Sequence, residues 1–92
     1  MPDQQLNIKF DDQTAKGTYA NNLMIQHTKE EFLLDFLNIL PPQGVLVSRI
    51  ITSPNHAKRI LRALEENIKV YEKSFGKLTE SSVPDRTIGF KP

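Results

Sequence analysis

The sequence contains no cysteine and no tryptophan, two histidines and four glycines, and neither sign of charge is in excess: twelve Lys and Arg face eleven Asp and Glu, for a net +1 at pH 7. Without cysteine, disulfides, thiolate metal sites and thiol nucleophiles are excluded, and a reducing cytoplasm is the expected location. The charge balance gives no general pull toward nucleic acid or lipid. No run approaches the roughly 18 to 20 apolar residues of a membrane span. Asp3, Lys9, Asp11, Asp12 and Lys16 punctuate the opening stretch, so neither an anchor nor a secretory signal is expected.

What is present is a chain of 92 residues, 38% apolar and 25% charged. A domain this small buries a modest share of its surface, so its core is thin and dimerisation is a natural remedy. Residues 5–10, QLNIKF, alternate Leu6, Ile8 and Phe10 with Asn7 and Lys9, the period of a half-buried strand. Residues 11–17 are polar, end in Gly17 and read as a connecting loop. Residues 18–27 alternate again, although Asn21 and Asn22 suit a strand poorly and allow a bulge, a turn or a late start. Residues 28–40, TKEEFLLDFLNIL, fit two periods. As a helix, Thr28 and Glu31 form a capping box ahead of a Phe32, Leu33, Phe36, Leu37, Leu40 stripe; as a strand, Phe32, Leu34 and Phe36 face the core. The strand is favoured, with Pro41, Pro42 and Gly44 turning into the next apolar run.

Residues 45–52, VLVSRIIT, are rich in β-branched side chains and read as a strand. Alternation places Arg49 on one face with Val45, Val47 and Ile51, either at a rim or paired with a carboxylate. Ser53 then supplies a cap, Pro54 the first helical position and Gly76 a terminator. The helix between them spans about six turns, roughly 33 Å. Its apolar seam, Ala57, Leu61, Leu64, Ile68, Tyr71 and Phe75, keeps a heptad rhythm that Ile60 widens. The expected architecture is α+β: a four-stranded, mainly antiparallel sheet followed by one long C-terminal helix. It forms a single domain over residues 1–78 with a flexible tail over 79–92.

Chemistry-bearing residues are scattered. His27 and His56 have no metal-ligand spacing, and the neighbouring carboxylates Asp11 and Asp12, Glu30 and Glu31, Glu65 and Glu66 point apart in either regular structure. The serines lack a nucleophile elbow and the glycines form no phosphate-cradling loop. No enzyme activity, cofactor or metal is expected. One cluster departs from a bland surface: Lys58, Arg59 and Arg62 crowd the positive end of the long helix, near Ser53, His56 and Arg49, where an anion could bind. Solvation, with Arg62 balanced by Glu65 and Glu66, explains the same residues.

The stretches YANNLMIQHTKEEFLLDF and SRIITSPNHAKRILRALEENIKVYEKSFG resemble a family of small bacterial proteins known as domain of unknown function 3467. The words that carry the resemblance are Tyr19-Ala20-Asn21, Glu31-Phe32, Asp35-Phe36, Ser53-Pro54, His56-Ala57-Lys58, Tyr71-Glu72 and Phe75-Gly76. Leu37 departs from the pattern, where a smaller residue is expected. The resemblance implies one domain in a bacterial-type cytoplasmic protein and assigns no catalytic residue. The order of strands then a long helix is also similar to Sec-type export chaperones, a likeness of architecture that confers no function.

The sequence therefore points to a noncatalytic protein, a homodimeric protein- or peptide-binding or adaptor module. Its interface would be the helix seam, with Leu33, Leu37, Ile39 and Leu40 as further contacts opposite the core. The alternative is weak nucleic-acid or phosphate-ligand binding at the start of the long helix.

Overall fold

The computed structural model describes residues 5–80. They form α1 (Asp12–Lys16), β1 (Asn22–His27), β2 (Phe32–Leu40), β3 (Gln43–Thr52) and α2 (Pro54–Phe75). The chain falls into two compact units, the first ending at Lys58 and the second starting at Arg59. The α+β order of sheet then long helix is as expected; most of the tail expected at 79–92 lies outside the described residues.

The sheet has three strands, in the order β1-β2-β3 and antiparallel throughout, where four were expected. The missing one is 5–10. Alternating side chains make a segment fit to be a strand, but it becomes one only when a neighbouring backbone takes its hydrogen bonds. Residues 5–10 belong to no strand, and Leu6, Ile8 and Phe10 are 71–83% exposed.

Local hydrogen bonds explain the other departures. The expected loop at 11–17 contains α1, because the Asp11 side chain accepts from the Thr14 N–H at 2.7 Å and caps it. Gly17, at φ 81°, closes the turn in a conformation that favours glycine. β1 takes the late start. The Asn21 carboxamide donates to the Ile39 carbonyl at 3.0 Å and accepts from the Ile39 N–H at 2.9 Å, so a side chain makes both bonds ahead of the first strand residue.

Residues 28–40 resolve in favour of the strand. Thr28 Oγ1 accepts from the N–H groups of Glu30 and Glu31, each at 3.2 Å, and the Thr28 N–H donates to the Glu31 carbonyl at 2.9 Å. The residues that resemble a helix cap instead tighten a hairpin turn. Pro41 and Pro42, which lack N–H groups, separate β2 from β3.

One residue interrupts the β2–β3 ladder. Phe36 pairs with Ser48 and Leu37 with Leu46, so Val47 is extra on β3. The bulge shifts the alternation: Leu46 and Gly44, rather than Val45 and Val47, share a face with Arg49 and Ile51, which corrects the sequence reading of that face.

Burial is scarce. Among the described residues the buried apolar side chains are Leu34 and Leu37, with Asp35 between them in sequence. Asp35 lies opposite Met24 on one side and Arg49 on the other. Arg49 Nε and Nη2 donate to its two carboxylate oxygens at 2.7 and 2.9 Å, a two-point pairing that suits a planar guanidinium. These bonds hold the Asp35 carboxyl below the usual carboxylate range against the opposing effect of desolvation, and hold the Arg49 guanidinium above its usual value.

Because folding lowers the pKa of Asp35, the folded state binds fewer protons than the unfolded chain, so this pair stabilises the fold at neutral pH. The contribution is lost as pH falls below about 4, the unfolded value, and through the lower folded one. In denaturant titrations from pH 7 to 2, the Asp35→Asn chain is expected to be less stable at pH 7 and to lose stability less steeply in acid. Equal acid slopes in the two chains would show that the pair contributes nothing.

Candidate functional site

α2 is built as its sequence suggests. Ser53 Oγ accepts from the His56 N–H at 3.1 Å and the Ser53 carbonyl from the Ala57 N–H at 3.0 Å. At the other end Gly76, at φ 97°, donates its N–H to the Glu72 carbonyl at 2.9 Å. The Glu72 carboxylate accepts from the Leu78 N–H at 2.9 Å. α2 has no buried residue. Along the seam Ala57 is half-buried, while Leu61, Leu64, Ile68, Tyr71 and Phe75 are 40–75% exposed. The Tyr71 and Phe75 rings contact each other, centroids 5.0 Å apart.

The candidate anion residues divide. Arg49 is held by Asp35 and Ser53 Oγ is engaged as the cap. His56, Lys58, Arg59 and Arg62 are exposed in the first turns of α2. Among the described residues no ion pair joins Arg62 to Glu65 or Glu66; the Asp35–Arg49 pair alone meets that distance. The further contact residues do not share one surface. Leu37 is buried, Leu33 and Ile39 are half-buried on the same face of β2, and Leu40 is exposed on the other.

His27 stacks on its cross-strand neighbour Phe32, ring centroids 5.2 Å apart, the geometry of a packed side chain. Among the described residues no three His, Asp or Glu side chains gather as metal ligands. No described helix is long and apolar enough to cross a membrane. Sequence reading missed an open depression of about 620 Å³ between the α1 turn and the sheet, lined by residues including Thr14, Thr18, Phe36, Ser48 and Ile50. Its lining holds no ionisable side chain. The one signal for it was Asp11 three residues before Thr14, the spacing of a helix cap.

The family described as Protein of unknown function (DUF3467) matches residues 1–80. The chain belongs to this family. No curated protein and no solved structure matches it. The DUF3467 match covers every element of the fold, including the whole seam of α2. Membership agrees with the resemblance carried by the Tyr19-Ala20-Asn21 and Ser53-Pro54 words, and it brings no assigned activity.

The start of α2 in this DUF3467 chain rests on one hydroxyl, which gives a direct test of its cap. Ser53→Ala is expected to lower stability by about 1 kcal/mol, and Ser53→Asp to retain it. Urea unfolding monitored by helix signal measures both, and an unchanged midpoint for Ser53→Ala would remove the cap from the description.

Proposed function

We propose that this protein is a noncatalytic module that assembles as a dimer through the seam of α2 and, once assembled, engages a protein or peptide partner. The observation that carries the reading is the exposure of five large apolar seam residues in heptad spacing. Water disfavours such a stripe, and a second copy carries a matching one. A cysteine-free chain with balanced charge suits this role in the cytoplasm.

The sheet supplies a surface for the partner. β3 is an edge strand of ten residues, with Val45, Leu46, Ile50 and Ile51 all exposed. Its free backbone groups can accept an extended peptide as an added strand, with side chains read in alternation.

An association held by apolar contact resists salt, whereas one held by exposed charges weakens as the Debye length shrinks from about 10 Å at 0.1 M to about 3 Å at 1 M. Size-exclusion chromatography with mass detection is expected to give a dimer at both salt levels. The Leu64→Lys, Ile68→Lys chain is expected to run as a monomer. Dissociation by salt alone, or a dimer indifferent to the paired substitution, would contradict the reading.

A further inference from the structure

The direction in which two copies of α2 run is written in the seam itself; this inference rests on the self-association proposed above. The smallest seam residue, Ala57, stands at the start, and the two aromatic ones, Tyr71 and Phe75, stand at the end. A parallel pair sets every residue against its own copy. Ala57 then meets Ala57 across a gap, while Tyr71 and Phe75, already in ring contact, meet two further rings in the same space. An antiparallel pair matches Ala57 with the partner's Phe75, Leu61 with the partner's Tyr71 and Leu64 with the partner's Ile68. Small then opposes large, and the layers fill evenly.

Charge agrees with volume. One flank of the seam carries Lys58, Glu65 and Glu72, and the other carries Ile60, Asn67 and Ser74. Antiparallel pairing brings like flanks together, so Lys58 meets the partner's Glu72, twice by symmetry. Glu65 then lies near the symmetry axis against its own copy, an exposed like-charge contact that offsets part of the gain. Parallel pairing sets unlike flanks together and makes no opposite-charge pair. Within one chain neither Lys58 nor Glu72 has an ion-pair partner among the described residues. Glu72 Oε2 accepts from the Leu78 N–H, and the carboxylate's other oxygen is left for a lysine. The arrangement also accounts for Lys58 at the positive end of α2, where a cation alone is unfavourable.

We propose that α2 pairs antiparallel with α2 of a second copy, Ala57 and Lys58 of each chain lying beside Phe75 and Glu72 of the other. Ala57 and Phe75 are about 27 Å apart along one helix, so crosslinking resolves the two directions. The protein's lack of cysteine makes introduced thiols unique. Mild oxidation of an Ala57→Cys chain mixed with a Phe75→Cys chain is expected to join the two different chains, as read by mass spectrometry. Chains joined only to their own kind would overturn the proposal, as would a dimer that forms no disulfide.

Charge exchange checks the same geometry with the seam intact. Lys58→Glu and Glu72→Lys are each expected to weaken the dimer about tenfold, and the double exchange to recover it, since two exposed pairs are reversed and then restored. Equal weakening in the double variant would overturn the proposal. An unsubstituted protein that sediments as a single chain would sink the self-association reading as well, whereas a dimer with like-to-like crosslinks sinks the antiparallel direction alone.

Discussion

Among the described residues only Leu34 and Leu37 are buried apolar side chains, while α2 leaves five large apolar seam residues in water. Folding opposes a large loss of conformational entropy mainly by removing apolar surface from water. Described residues that cover this little of their own surface gain from any second surface that covers the rest. The exposed seam, the open edge of β3 and the uncovered Leu6, Ile8 and Phe10 are three expressions of that one shortage.

Inside the sheet, specificity comes from a polar pair. The Asp35 side chain is 1% exposed, and both its oxygens accept from Arg49. Slipping β3 by one residue against β2 would separate the pair and leave a buried carboxylate without its cation, a costly state. The pair therefore fixes the register on its own side of the Val47 bulge, beyond which the alternation shifts and Leu46 takes the face of Arg49.

The residues disclose the elements unequally. α2 was legible because its signals are local: Ser53 and Pro54 begin it, Gly76 ends it, and the seam repeats over its whole length. β3 was legible from its β-branched run. For 28–40 the helix and strand patterns compete within the same side chains, and pairing with β1 and β3 decides between them. Residues 5–10 show the converse, since they carry a strand's pattern without a neighbouring backbone to pair with. α1, at five residues, is too short to have a period. A single extra residue such as Val47 leaves no trace in alternation until the partner strand is known. In the candidate site, the seam and the crowded cations were readable as a pattern. The engagement of Arg49 by Asp35 was open to sequence only as one of two alternatives, because it depends on cross-strand register.

In the proposed dimer, folding and assembly are coupled, the second copy supplying cover that the described residues of one chain lack. Differential scanning calorimetry over a wide range of protein concentration tests this most directly, because binding that favours the folded state raises its unfolding temperature by mass action. A midpoint that climbs steadily with concentration is the expected result. A midpoint independent of concentration, for a particle with the 10.5 kDa mass of one chain, would contradict the claim.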